Sequence, residues 1–492
     1  MSDILRRGRL DSLPDEEILR YTSSMEDDKW IFDSDVLVDF AHTAMLKEQG
    51  IIPADDCAKI LDGLKRIREE GIDSLDHSYE DIHISLEARL IDLAGEDVGG
   101  RMHSGRSRND EVATCIRLRL RKEVLELAEE MLQLVNTMAK IASENHDTIM
   151  PGYTHLQHAQ PTTLAHHIMS HAESLGRDME RILGCLDRIN RCPLGAAAFA
   201  STGFPIDRSR TAELLGFEEV MQNSMDAVSG RDFLLETASV LANIMIEMSR
   251  ISEELVLWSS TEFGFIELSD QYASTSSIMP QKKNPDTAEL VRGKSGIAVG
   301  SLMSLLTVCK SLPMSYNRDM QDASPHIWRS VETTRASVRI MAGMLDSMKV
   351  NTNTMKWQAS TGFTTATELA DTLVRECGIP FRTAHQIVGI LAKGDNEPTL
   401  EDVEAVGRTV LGESLVEKGL NEDMVKQALD PMLNIQKRKV IGGPAPEAMK
   451  TAIDNFGTKT GMWTEEVERI RDHTGNSIEK LMQVVEDYIQ QK

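Results

Sequence analysis

The sequence predicts an all-α protein, on two observations. Aromatic residues make up only 4% of the chain, and Ala, Leu, Glu, Arg and Met (26 Met) recur in long stretches. These are strong helix formers that offer little to a large sheet. Apolar residues also recur every three or four positions through two long segments, the signature of a helix with one buried stripe. At 492 residues the chain is too long for one core and is expected to form two to four units of about 100–200 residues each.

Residues 1–110 show shorter helical patterns broken at Gly50-Ile51-Ile52-Pro53, Gly71 and Gly99-Gly100. From Glu111 to His146 there is no Gly or Pro, and Ile116, Val124, Leu127, Met131, Leu134, Val135, Met138 and Ile141 fall on one stripe. From Arg231 to Phe263 the same holds for Phe233, Thr237, Val240, Ile244, Met248, Ile251 and Leu255. Helices of roughly 33–36 residues would be about 50 Å long, which points to a bundle of long helices. Two more are expected at 285–310, where Gly293, Gly296 and Gly300 permit close approach, and at 324–349. Beyond Ser360, short helices are expected between breakers such as Gly378-Ile379-Pro380, Gly394–Pro398 and Gly442-Gly443-Pro444. Three mostly helical domains follow: 1–110, a central 111–360 and a small 361–492.

The charge balance, 53 Lys+Arg against 78 Asp+Glu for a net −25, argues against nucleic acid or an anionic membrane as partner, because the net field repels polyanions. No apolar run of about 18 residues suggests a transmembrane helix, and Met1–Arg20 lacks the apolar core of a secretory signal. Six cysteines without a C-x-x-C pair fit buried thiols in a reducing compartment, so a cytoplasmic location is expected.

Three polar stretches interrupt the helical texture, each just before a helix. Gly99–Asp110 carries Arg101, Arg106 and Arg108 with Ser104 and Ser107, a set suited to a carboxylate or phosphate. A solvated basic loop capped by Asn109 or Asp110 would account for it equally. Pro151–Thr163 is expected to be a loop presenting Thr154, His155 and His158, and histidine exchanges protons near neutral pH. His166, His167 and His171 follow on a helix. No H-E-x-x-H and no third ligand nearby in sequence accompanies them, so neither a metal nor a cofactor is expected. In Ser269–Pro285, Asn284 and Pro285 have the chemistry of a helix start. Ser276 and Ser277 lie six and five residues before Lys282; hydroxyls, an ammonium and helix-end amides together suit a developing anion.

Ser276-Ser277-Ile278-Met279-Pro280-Gln281-Lys282-Lys283-Asn284-Pro285 resembles the signature of the fumarase/aspartase superfamily. Gly105-Arg106-Ser107-Arg108-Asn109-Asp110, Gly152-Tyr153-Thr154-His155-Leu156-Gln157 and Tyr316-Asn317-Arg318-Asp319-Met320-Gln321 narrow the resemblance to the argininosuccinate lyase family. So do Cys192-Pro193-Leu194-Gly195-Ala196, Phe204–Arg208, Gly362–Thr367 and Phe381–His385, so that the likeness spans nearly the whole chain.

The resemblance implies a homotetramer with a twenty-helix core and active sites shared between subunits. It also implies reversible cleavage of argininosuccinate to arginine and fumarate. Ser276 matches the general base, and Lys282 and Asn284 match positions that hold the substrate carboxylate and the intermediate. His155 matches a histidine paired with a carboxylate at Glu289, either as general acid or as organiser of the site. Ser34, Ser107, Asn109, Thr154, Arg231, Tyr316 and Gln321 match substrate-binding positions, Arg108 a carboxylate-binding arginine, and His83 a further site position. Thr275, Gly230 and Ser324 depart from the pattern: they replace a Gly, an Asp and a substrate-binding Lys respectively.

The same motifs disfavour the neighbouring alternatives: fumarase, aspartase, adenylosuccinate lyase or a crystallin-like structural role. By net charge alone, a negative chain is a poor host for a substrate with three carboxylates. Residues 101–122, however, hold seven basic against two acidic residues, and 278–294 hold four against two. Charges beyond about 10 Å are largely screened, so a locally positive site is expected.

Overall fold

The computed structural model describes residues 15–394 and 396–490. Most of Met1–Arg20, Asp395 of the Gly394–Pro398 breaker and the ends of both outer domains lie outside the described residues. The segment expected from residue 111 is a helix of 37 residues, Arg108–Glu144, about 55 Å long. All eight of its predicted stripe residues are buried. It starts three residues earlier than the pattern suggested, because Ser107, and not Asn109 or Asp110, is its cap. The Ser107 hydroxyl accepts from the Asn109 N–H, and Asp110 reaches back to the Ser107 N–H in a capping box, which satisfies donors that a bare helix end would leave orphaned.

Helices Leu164–Ile189, Asp232–Trp258, Asp286–Cys309 and Ala323–Ser347 pack with this one as a bundle. The seven stripe residues of Asp232–Trp258 are likewise buried. That helix ends five residues short of Phe263. Ser259 and Ser260 hydroxyls bond the carbonyls of Val256 and Leu257, and Gly264 (φ 60°) turns the chain so that the Phe265 N–H meets the Trp258 carbonyl at 2.9 Å.

Two of the polar stretches are more ordered than expected. Ile149–Thr154 and Gln157–Thr163 form an antiparallel hairpin, not a loop. Pro151 and Pro161 face each other in it; a two-stranded ribbon has two free edges and tolerates prolines there. Ser274–Thr275 pairs with Lys283–Asn284 and closes the 276–282 loop at its base. Asn284 is therefore in a ladder, Pro285 takes the cap position and the helix begins at Asp286. The base of this loop is tied to Ala323–Ser347: Ser269 bonds Ser347 at 3.0 Å, and the Tyr272 hydroxyl fills the space that a Cβ at Gly343 would need.

Helices Ala366–Cys377, Phe381–Leu391, Leu400–Leu411 and Glu422–Leu429 enclose a separate apolar core that includes Leu369, Leu373, Ile387, Val403 and Leu415. The last helix departs from the short-helix texture expected beyond Ser360. Pro446–Gln490 runs 45 residues and lays Phe456, Trp463, Val467, Leu481 and Val485 into the main core. Gly176 allows that approach, since a Cβ there would sit 2.9 Å from the Trp463 ring. No helix among the described residues is long and apolar enough to cross a membrane.

The N-terminal helix Phe32–Glu48 meets the long helix through buried charge. Arg106 pairs with Asp39, and with Glu111 at 2.8 Å; His83, on Ile82–Ala94, donates from Nδ1 to Asp35 at 2.8 Å. The Cys115 thiol adds a bond to Asp35 at 3.4 Å. Burial alone would neutralise His83, but Asp35 and Glu111 hold it protonated well above the ordinary imidazole range. Burial opposes ionisation of Asp35 too, and His83 and Arg106 overcome it, leaving Asp35 below its usual value. Burial instead wins at Glu111, which is pushed well up. Three carboxyls thus face two cations, and burial raises two of them, Asp39 to about 6 and Glu111 well above its usual value.

Breaking a buried pair on one side leaves an uncompensated charge. Arg106→Met is therefore expected to cost about 3–5 kcal/mol, read as a lowered urea midpoint. A change within about 0.5 kcal/mol, the range of an ordinary surface substitution, would show that the cluster does not hold these helices.

Candidate active site

A cavity of about 170 Å³ opens where the N-terminal helices, the start of the long helix and the 316–324 turn converge. Six of the residues singled out from sequence line it: His83, Arg108, Asn109, Arg231, Tyr316 and Gln321. Their positions follow from local structure. Arg108 and Asn109 are the first residues of the long helix, exposed to the cavity because Ser107 turns the chain into that helix. The Asn109 amide is steadied by a 3.1 Å bond to the Ala198 carbonyl. Gln321 donates to the Thr22 carbonyl at 3.2 Å, and Arg318 pairs with Glu80 at 2.7 Å.

His83 reaches the cavity with Nδ1 already engaged by Asp35. Its Nε2 is buried and has no partner among the described residues. Held as an imidazolium, it offers one N–H donor to an anion. Arg231 is 5% exposed and donates to the carbonyls of Val228 (3.1 Å) and Gly230 (3.0 Å) at the end of the preceding helix, Ser224–Ser229. Burial lowers its pKa below the ordinary guanidinium value. Burial also raises Tyr316, which keeps the phenol a proton donor.

The locally positive site expected from the basic stretches is more mixed in charge than they suggested, in two respects. Of the three arginines in Gly99–Asp110 only Arg108 lines the cavity; Arg101 pairs with Asp56 at 3.1 Å and Arg106 belongs to the buried cluster. Arg117 and Arg121, counted in the same basic stretch, cap helix-end and loop carbonyls inside the core. The cavity also holds Asp28, Glu80 and Asp81, with Asp81 paired to Arg108. Burial raises Asp28 to about 6. Sequence reasoning missed these acids and Arg318, although Arg318 sits inside a motif it had singled out and Glu80 and Asp81 lie three and two residues before His83.

The remaining candidates lie elsewhere in the chain. Ser34 is buried on the N-terminal helix and Ser107 is spent on the cap; neither lines the cavity. Thr154 and His155 are exposed on the hairpin. His155 and Leu156 both have φ 56°, which makes them a two-residue turn in the left-handed region. Such turns match the twist of a ribbon but strain non-glycine residues, so His155 is held out at the tip. Lys282 and Glu289 are also exposed, and no hydrogen bond or ion pair joins His155 to Glu289 within the chain.

Ser276 has a distinctive environment. Its Oγ accepts from the backbone N–H groups of Met279 (3.0 Å) and Ile278 (3.3 Å). Lys283 is bound to Asp270 (2.7 Å) and Glu267 (3.0 Å), whereas no carboxylate among the described residues pairs with Lys282. Two amides aimed at a hydroxyl oxygen, with an unpaired ammonium on the same loop, are suited to stabilising an alkoxide.

Residues 8–300 match the family described as Lyase, and residues 363–435 the one described as Argininosuccinate lyase C-terminal. The chain is 64% identical over 488 residues to argininosuccinate lyase of Methanosarcina mazei, covering 99% of each chain. It is 63% identical over 490 residues to that of Methanosarcina barkeri, covering all of both. Among solved structures, an EDDS lyase in complex with formate superposes with a TM-score of 0.87 at 33% identity, over 100% of this chain and 99% of that one. A class II fumarase from Schistosoma mansoni (TM-score 0.68, 16% identity, 84% and 91% covered) shares the fold. With family matches at both ends and relatives of this identity along its whole length, the chain belongs to the argininosuccinate lyase family and is an enzyme of the lyase class.

Proposed function

We propose that the chain catalyses the reversible elimination of fumarate from argininosuccinate, releasing arginine. The observation that carries this reading is the Ser276 hydroxyl, held by two backbone amides on the loop of Lys282, in a chain of this family. Ser276 Oγ, as alkoxide, takes the proton from the carbon next to a substrate carboxylate. The electrons left there form the fumarate double bond as the C–N bond breaks, and the departing guanidino nitrogen gains a proton. Lys282 and Asn284 face the carboxylate that carries the intermediate's charge. Arg108, Arg231, His83, Asn109, Tyr316 and Gln321 hold the substrate, with His155 and Glu289 as its proton-handling pair.

A homotetramer with shared sites is part of the proposal. It is supported by the absence of Ser276 and His155 from the cavity lining, and by the Asp286–Cys309 helix. Leu290, Val299, Met303 and Leu306 are exposed along it, and added Cβ atoms at Gly293, Gly296 and Gly300 would meet nothing within the chain. An apolar, glycine-lined helix face of this kind is suited to close approach by helices of other copies. For the chain's organisation the proposal is three units, 1–110, 111–360 and 361–492, with the last helix of the third laid back on the first two. A cytoplasmic location completes it.

Three outcomes are expected. In a panel of candidate substrates followed by fumarate absorbance, argininosuccinate turns over; activity with malate or adenylosuccinate instead would reassign the enzyme. Ser276→Ala lowers kcat roughly 100- to 10,000-fold, the range for loss of a general base, while argininosuccinate still binds by calorimetry. Near-normal turnover in a folded variant would move the base elsewhere. Mixing Ser276→Ala with His155→Asn after subunit exchange restores measurable activity, because some sites then draw both native residues from different chains. No recovery after verified exchange counts against shared sites.

A further inference from the structure

Away from the cavity, His167, His171 and Glu254 converge. The two histidines are one turn apart on Leu164–Ile189, and Glu254 comes from Asp232–Trp258, which packs against it. His167 Nε2 and His171 Nε2 each lie 2.7 Å from the same oxygen, Glu254 Oε2. Sequence spacing alone showed two of these ligands; the third stands 83 residues further along. We propose that these three side chains form a divalent transition-metal site, with zinc the best-matched ion, that braces the two helices.

The chemistry of the set supports this. Two imidazole nitrogens with one carboxylate oxygen suit a borderline cation such as zinc and not calcium or magnesium, which prefer all-oxygen ligands. The ligand atoms already lie within 4.8 Å of one another. Tetrahedral bonds of about 2.0–2.2 Å place donors roughly 3.3 Å apart. The two 2.7 Å contacts thus need to open by about half an ångström as the ion replaces the shared protons. Trp258 packs against His167 at 4.9 Å between ring centroids, and the side chains of His171, His167 and Glu254 are 8%, 24% and 32% exposed, so an ion can reach the site from solvent. Three protein ligands leave a fourth position for water, and both helices belong to the rigid part of the bundle.

The test uses the full-length protein, stripped with chelator and dialysed against micromolar zinc chloride. One zinc per chain by elemental analysis, with a raised melting temperature, is expected for the wild type. Glu254→Gln keeps a hydrogen-bond acceptor between the histidines but removes the charge, and His167→Gln removes a ligand from the more exposed position. Both are expected to lose the stoichiometric zinc and the thermal shift while retaining the wild-type helical circular dichroism. Absence of stoichiometric zinc in the wild type, or unchanged zinc in both variants, would overturn the site and leave a hydrogen-bonded clamp between the helices.

Discussion

Arg106 lies with its side chain 1% exposed between Asp39 and Glu111, two carboxyls that burial would otherwise make prohibitive. Everything that shapes the cavity hangs from this point. Asp39 fixes the N-terminal helix and Glu111 fixes the first turn of the long helix. The neighbouring Asp35 orients His83 on a third element. An unmatched charge in such a place costs several kcal/mol, so the three helices are held in the arrangement that pairs these charges. That arrangement sets Arg108, two residues beyond Arg106, at the cavity mouth.

The same constraint explains why the cavity is mixed in sign and still suited to an anion. Arg108 is balanced by Asp81 and Arg318 by Glu80, so these cations are held in place before any ligand arrives. His83 is different: its charge is paid for behind it by Asp35, and its free Nε2 faces forward. Electrostatic preorganisation of this sort favours an anion at one position without requiring a positive surface. The acidic exterior and the site are thereby decoupled.

The other two polar stretches are each built on a short antiparallel pair. The serine loop is fastened at its base by the Ser274–Asn284 and Thr275–Lys283 pairs and by Tyr272 over Gly343, while Ile278 and Met279 remain exposed at its tip. The hairpin carries His155 on a strained two-residue turn in place of the loop its composition suggested. Neither Ser276 nor His155 lines the cavity, as a site assembled from several copies would require.

Composition and apolar period by themselves determined the helical class and two of the long stripes, and the motifs determined the family, because burial of a periodic face and a run of specific side chains are local properties. Every stripe residue named for the two long helices is buried. Helix ends were less legible. Ser107 outcompeted Asn109 and Asp110 as cap through a reciprocal bond, and Asn284 was claimed by a ladder with Ser274. Both outcomes depend on where a partner lies. Only the tertiary structure could decide that Arg101 and Arg106 leave the site while Asp28 and Glu80 enter it, that the last helix returns to the main core, and that Glu254 meets His167 and His171. Each joins residues remote in sequence, and the energy that selects it, the pairing of buried charge and the filling of buried volume, exists only once the chain is packed.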